Sequence, residues 1–172
     1  DNIYSSIGRD IIFIDFYKFY KYNYKYILDQ YLDGGEVEIC RVKSIDEIIL
    51  LEDPVGKITY DVKRDNNLHI RRITTPIGVL LAIYESRPNV TSDVAALALK
   101  SGNSVILRCG SDSINSSKIL ADIYREALGN FEIDKNAVIL VPEVNREYVV
   151  ELLRMESHID VVIPRGGKSL IK

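Results

Sequence analysis

The sequence predicts an α/β protein built on a Rossmann-like parallel sheet with flanking helices. Four short apolar runs recur in the second half of the chain, at 78–84, 104–107, 137–141 and 159–163. Near-continuous apolarity over so few residues is typical of strands that are buried on both faces of a parallel sheet. Segments with helical periodicity separate the runs, and this alternation indicates βαβ units with right-handed crossovers.

Three helical segments connect the predicted strands, namely TSDVAALALKSG, SSKILADIYREALG and NREYVVELLRM. We expect Thr91 to cap the first helix and Asp93 to lie in its first turn, because hydroxyl and carboxylate oxygens accept the free N–H groups at a helix start. Gly102 and Gly129 are expected to end the first and second helices, since glycine readily adopts the left-handed conformation that follows many helices.

We divide the chain into three regions, an atypical extension at 1–35, a hairpin arm region at 36–75 and a Rossmann-like cofactor-binding region at 76–172, which we expect to be an incomplete domain. The extension contains FIDFYKFYKYNYKYILDQYL, dense in Tyr, Phe and Lys. Lysines beside aromatic rings are compatible with an interfacial membrane helix. Acidic residues interrupt the basic character, however, and favour a packing or poorly ordered extension of biased composition.

The arm region contains KITYDVKRDNNLHIRRITT, in which residue character alternates on both sides of Asn66 and Asn67. Paired asparagines tolerate the positive φ of a tight turn, so the pattern predicts an exposed β-hairpin. The edges of such an arm lack partner strands, and we therefore expect it to favour self-association.

Composition narrows the partners and the compartment. A net charge of -3 and a pI near 5.5 give no electrostatic argument for binding nucleic acid. No apolar stretch approaches the roughly 20 residues that span a bilayer, and the start, DNIYSSIGRD, does not resemble a signal peptide. The two cysteines and two histidines form neither a disulfide framework nor a metal motif. We expect a cytoplasmic protein that uses no metal and binds neither nucleic acid nor membrane.

The first candidate site follows the apolar run at 78–83 and reads YESRPNVT. Pro88 holds Arg87 in an extended conformation and fixes the next φ. Asn89 is thereby held at the end of a predicted strand, where open α/β sheets bind their ligands.

Two further loops combine glycine with arginine at strand ends, RCGSDS at 108–113 and PRGGKS at 164–169. Helix N-termini beside Arg108 and Arg165 would favour a phosphate; tight turns with solvated arginines are the alternative. The ending GKS is not a Walker loop, because position 162 is Val where that motif requires Gly. The dinucleotide motif G-x-G-x-x-G is also absent from the sequence.

Together these stretches closely resemble gamma-glutamyl phosphate reductases, a family of the aldehyde dehydrogenase superfamily that acts in proline biosynthesis. The resemblance is carried by YESRPNVTSDVAALALKSGNSVILRCGSDS and HIDVVIPRGGKSLIK, with LLEDPVGKI at 50–58 also similar. It covers about 46–172 and does not extend to the Tyr/Lys tract. The family reduces L-glutamyl 5-phosphate to L-glutamate 5-semialdehyde with NADPH, which implies a small-molecule substrate and an oxidoreductase.

The resemblance implies roles for two residues toward the substrate. Asn89 would help form the oxyanion hole, its amide donating a hydrogen bond to the oxygen that becomes negative when a thiolate attacks the acyl carbon. Arg87 would meet the carboxylate or the phosphate of glutamyl phosphate. Capping of the helix or bracing of the loop is the alternative role for Asn89.

The resemblance also implies an NADP(H) site. Arg108 lies where many aldehyde dehydrogenases have a lysine that faces the adenosine ribose, and arginine suits a ribose bearing a 2′-phosphate. Gly110 and Ser111 would line the same end. Arg165, Gly166 and Gly167 match the PRGG loop of the family, where glycine lets the backbone approach the pyrophosphate.

The family reaction also needs a cysteine thiolate that accepts the acyl group before hydride transfer. Neither Cys40 nor Cys109 matches that position, which follows the PRGG loop in the family. We therefore expect the chain by itself to be inactive. Two interpretations stay open, the cofactor-binding part of a reductase or a non-catalytic remnant that serves at most as a nucleotide-binding module.

Overall fold

A computed structural model describes residues 37–85 and 87–167, with side chains from residue 44 onward. The predicted extension at 1–35 therefore lies outside the described residues. The helices are α1 Val37–Leu50, α2 Pro88–Lys100, α3 Ile114–Asn130 and α4 Arg146–Leu153, with short 3₁₀ turns at Ser111–Ser113 and Lys135–Ala137. The strands are β1 Ile58–Lys63, β2 His69–Ile73, β3 Val79–Tyr84, β4 Ser104–Arg108, β5 Val138–Leu140 and β6 Val161–Arg165.

The four strands of the second half form one parallel sheet in the order β5-β4-β3-β6. From β3 the chain adds β4 and β5 on one side, and then returns to place β6 on the other side of β3. The predicted α/β, Rossmann-like fold is confirmed. The reversal makes the space between β3 and β6 a topological switch point, and open sheets bind ligands outside the carboxyl ends of strands at such a point.

Helices cover the sheet on both faces, which explains the continuous apolar run of β3. Successive side chains of a strand point to opposite faces. Leu80, Ala82 and Tyr84 belong to the larger core cluster, which includes buried residues of α1, α2 and α3. Leu81 and Ile83 belong to the second cluster, against which residues of α4 pack. Burial on both sides leaves no place for polar residues along this strand.

The start of α2 differs from the prediction. Arg87 is the N-cap and Pro88 the first residue of the helix, a position that suits proline because its missing N–H is not needed there. Asp93 therefore lies beyond the first turn, where it accepts a hydrogen bond from the Ser44 hydroxyl at 2.8 Å and ties α2 to α1.

Thr91, which we predicted as the cap, lies inside α2 and is buried. Its Oγ1 is 2.7 Å from the Tyr84 hydroxyl and donates to the Ser117 Oγ at 2.9 Å. Desolvation by burial raises the pKa of Tyr84 to about 12, so the phenol remains neutral. The threonine thus links the end of β3 to α3, and its hydroxyl is not used to cap the helix.

The two predicted helix-stopping glycines behave differently. Gly102 follows the end of α2 with a φ of +70°, and its N–H donates to the Leu99 carbonyl, so this prediction is confirmed. Gly129 does not stop α3, which continues through it to Asn130. A Cβ on Gly129 would lie 2.5 Å from Lys135 Cε, so the absence of a side chain leaves room for the end of the lysine side chain.

The arm region contains the predicted hairpin. Strands β1 and β2 pair antiparallel, and Asn67 in the turn has a φ of 66°. Within the described ranges these strands pair only with each other, and nearly all their residues are exposed. Self-association through the arm stays a prediction.

The same region also contains α1, which we did not predict. Ile45 and Ile48 of this helix are buried in the larger core cluster, so α1 belongs structurally with the sheet and its helices. None of the described helices combines the length and the apolar character that crossing a membrane requires.

Candidate functional site

The carboxyl ends of β3, β4 and β6 lie side by side. Ile83 of β3 is paired with Arg108 on one side and with Pro164 on the other, and Tyr84 is paired with Arg165. The loops that follow these strands therefore start from the same edge of the sheet. This register brings every predicted site residue to one edge: Arg87, Asn89, Arg108, Gly110, Ser111, Arg165, Gly166 and Gly167.

Arg108 ends β4 and is only 8% exposed. Its Nη2 donates to the Val144 carbonyl at 2.6 Å, which fixes the guanidinium against the segment after β5. Its Nε is buried without a hydrogen-bond partner in the part of the chain that the structure describes. A buried donor without an acceptor is unfavourable by roughly 1–3 kcal/mol. The site thus holds a fixed cation with one uncommitted N–H.

The loop after Arg108 leads into α3 as predicted. Gly110 precedes the 3₁₀ turn, and its carbonyl accepts from the Ser113 N–H at 3.2 Å. Ser111 is exposed and donates to the Asp112 carboxylate at 3.2 Å, so this loop also carries a negative charge. Cys109 is 1% exposed and belongs to the core cluster, which indicates a packing role.

The PRGG segment ends β6 and leaves the sheet at the switch point. Arg165, Gly166 and Gly167 are all exposed. The Gly167 N–H donates to Glu85 Oε1 at 3.0 Å. A carboxylate oxygen thus accepts from the N–H that we predicted to face a pyrophosphate. Sequence reasoning missed Glu85, and its only signal was its place directly after the run of β3.

Arg87 and Asn89 flank the proline that starts α2, and both side chains are exposed at this edge. The Arg87 N–H donates to the Glu85 carbonyl at 2.7 Å, which ties the start of the helix to the residue that follows β3. The N-cap position belongs to Arg87, so the alternative role of Asn89 as the capping residue does not apply. Asn89 is the second residue of α2 and lies in its first turn, five residues after the end of β3.

The sheet order and the position of the loops define a Rossmann-like α/β fold of the kind that aldehyde dehydrogenases contain. A propionaldehyde dehydrogenase from Rhodopseudomonas palustris, solved with CoA and an acylated cysteine, superposes with a TM-score of 0.60 over 95% of this chain and 36% of its own, at 20% identity. An engineered glycolyl-CoA reductase with bound NADP+ gives a TM-score of 0.58 over 95% and 36%, also at 20% identity. These likenesses establish the fold alone.

Two closer relatives share sequence as well. The gamma-glutamyl phosphate reductase of Thermotoga maritima has a TM-score of 0.77 and 39% identity, over 86% of this chain and 36% of that one. That of Desulfotalea psychrophila is 50% identical over 146 residues, 85% of this chain and 35% of the relative. A match of this length cannot fit within 46–172, so the similarity extends further toward the N-terminus than we predicted and reaches the Tyr/Lys tract. No family model matches the chain. The matched part of the chain, 85% of its length, therefore belongs to the gamma-glutamyl phosphate reductase family. The chain spans about a third of the length of the curated relatives that it matches.

Proposed function

We propose that the chain forms the dinucleotide-binding part of a gamma-glutamyl phosphate reductase, which reduces L-glutamyl 5-phosphate to L-glutamate 5-semialdehyde with NADPH. The observation that carries this proposal is the carboxyl edge of the sheet, where Arg108 and the PRGG segment end the two strands that flank β3, in a chain 50% identical to such a reductase over 146 residues. Identity at this level over most of the chain supports a reductase over a non-catalytic remnant.

The residues at this edge fit an anionic dinucleotide. The buried Arg108 Nε lacks an acceptor within the described ranges. The Gly167 N–H already donates to a carboxylate oxygen, which takes the place that a phosphate oxygen would take. We assign Arg108 to the 2′-phosphate of the adenosine ribose, with Gly110 and Ser111 lining the same end. Arg165, Gly166 and Gly167 would hold the pyrophosphate. When bound, NADPH supplies the hydride.

The substrate side of the proposal rests on the exposed turn at the start of α2. The Asn89 amide would donate to the acyl oxygen as it becomes negative, and removal of one such donor typically lowers the rate about 100- to 1000-fold. Arg87 would bind the carboxylate or the phosphate of glutamyl phosphate. The burial of Cys109, at 1% exposure, argues against this residue as the nucleophile.

Discrimination between NADPH and NADH tests the proposed function. Hydrogen bonds between charged groups contribute about 1.5–3 kcal/mol, so we expect the chain to bind NADPH at least roughly tenfold more tightly than NADH in calorimetric titrations. The Arg108→Ala variant should reduce the difference to about threefold or less by weakening NADPH alone.

Arg154→Ala is the matched control for this experiment. Arg154 is exposed and follows α4, which runs from the carboxyl end of β5 toward the amino end of β6, so this arginine lies at the opposite edge of the sheet. Loss of the Arg154 side chain should leave the preference for NADPH over NADH unchanged. Equal affinities of the parent chain for the two dinucleotides would contradict the assignment.

A further inference from the structure

We propose that the Glu85 carboxylate is a built-in competitor for the pyrophosphate of the dinucleotide. In the free protein this carboxylate accepts the hydrogen bond of the Gly167 N–H. It lowers the affinity of the protein for the dinucleotide, because a phosphate oxygen must displace it. This inference rests on the proposed function and adds to it a residue that sets the affinity for the cofactor. Glu85 would act by its charge and by its hold on one N–H, and it takes no part in hydride transfer.

The geometry places this contact across the switch point. Glu85 directly follows β3, and Gly167 lies two residues beyond the end of β6. Because Tyr84 and Arg165 are register partners, the two chain segments leave the sheet side by side, and the Gly167 N–H meets Glu85 Oε1 at 3.0 Å. A Cβ on Gly167 would lie 3.6 Å from the same oxygen, so the carboxylate lies against the glycine backbone.

A carboxylate and a phosphate cannot share this amide. The backbone N–H offers one proton, and two anionic acceptors brought within hydrogen-bond distance of it repel each other. Binding of a pyrophosphate at Gly167 therefore requires the Glu85 side chain to leave or to remain nearby as a like charge. Either outcome lowers the affinity relative to a chain that has no charge at this position.

The displacement itself needs little rearrangement. Glu85 is exposed, so its carboxylate regains water when it releases the amide. Its carbonyl accepts from the Arg87 N–H at 2.7 Å, which holds the Glu85 backbone in place while the side chain moves. The Glu85 side chain can therefore leave the anion position and return to it by rotation about its own bonds, without movement of the backbone.

Glu85→Gln separates the charge from the shape of the side chain, because glutamine keeps the length and an acceptor oxygen. We expect this variant to bind NADPH roughly five- to tenfold more tightly than the parent in calorimetric titrations at low ionic strength. Most of the gain should disappear near 1 M salt, where the Debye length is about 3 Å. Glu85→Asp keeps the charge on a side chain that is shorter by one methylene, and its affinity for NADPH should exceed that of the parent by about twofold or less.

Two controls make the result specific. Adenosine 2′-phosphate lacks the pyrophosphate, so its affinity should be the same for the parent and for Glu85→Gln. Glu126→Gln removes an equal charge from an exposed position near the C-terminal end of α3, at the opposite edge of the sheet, and should leave NADPH binding unchanged.

Three outcomes would overturn the inference. The first is a Glu85→Gln variant that binds NADPH as tightly as the parent or less tightly, and the second is an equal gain for adenosine 2′-phosphate. In both cases the parent still binds NADPH, so the proposed function survives. The third is a parent chain and variants that bind no dinucleotide at all, in which case the proposed function fails together with the inference.

Discussion

Alanine at Gly78 is expected to lower the free energy of unfolding by about 3 kcal/mol or more, because it combines an unfavourable backbone conformation with a steric clash. Gly78 has a φ of +127°, and a Cβ there would lie 2.2 Å from Asp160 Oδ2. That carboxylate accepts from the Val79 N–H at 2.8 Å, at the start of the central strand. Relief of the clash would break this bond between the segments that begin β3 and β6.

Gly56→Ala is the matched control, measured by urea denaturation with the parent and with Gly78→Ala. Gly56 also has a positive φ, +78°, but a Cβ there meets nothing within 4 Å. This variant should carry only the backbone strain, about 1–2 kcal/mol. If Gly78→Ala and Gly56→Ala lower the free energy of unfolding equally, the close approach of Asp160 to Gly78 contributes nothing to the effect.

Truncation of Leu107 to alanine is expected to destabilise the chain by about 3 kcal/mol, within the usual 2–5 kcal/mol range for buried leucines. Leu107 is 0% exposed in β4 and belongs to the larger core cluster between the sheet and its helices. The packed surroundings cannot collapse fully into the space that the side chain leaves.

Leu97→Ala is the control for the core variant. Leu97 lies on α2 and is 45% exposed, so its truncation should destabilise by less than about 1 kcal/mol. Urea denaturation of the two variants gives the comparison. If both changes destabilise the chain equally, burial in this cluster does not determine its stability.

The four parallel strands were predictable because burial on both faces leaves a local signal. The runs predicted at 104–107 and 159–163 correspond to β4 at Ser104–Arg108 and β6 at Val161–Arg165. Once strands and helices alternate, parallel topology brings the carboxyl ends to one edge. The shared location of the candidate site residues at one edge followed from that geometry, and their roles toward a cofactor and a substrate stay predictions.

The features that sequence reasoning missed depend on partners far along the chain. Thr91 precedes Ser92 and Asp93, which fits a helix start, but the Tyr84 and Ser117 hydroxyls bind it inside α2. Glu85 meets an amide 82 residues away, and no local pattern signals that contact.

Helix α1 was missed for the same reason, since it is fixed by contacts with α2. Ile45 and Ile48 are buried in the shared core, and the Lys100 ammonium donates to the Ile49 carbonyl at 2.9 Å. Neither contact is visible in the local periodicity of the segment. Tertiary packing decides such a helix more than intrinsic propensity does.

Amide hydrogen exchange of the 172-residue chain with and without NADPH tests the central claim most directly, namely that a dinucleotide binds at the carboxyl edge of the sheet around the switch point. We predict that NADPH slows exchange at 109–113 and at 165–167, with no change in the hairpin turn at 64–68. Unchanged exchange in both loops at saturating NADPH, or protection confined to the opposite edge around Gly102 and Asn103, would contradict the claim.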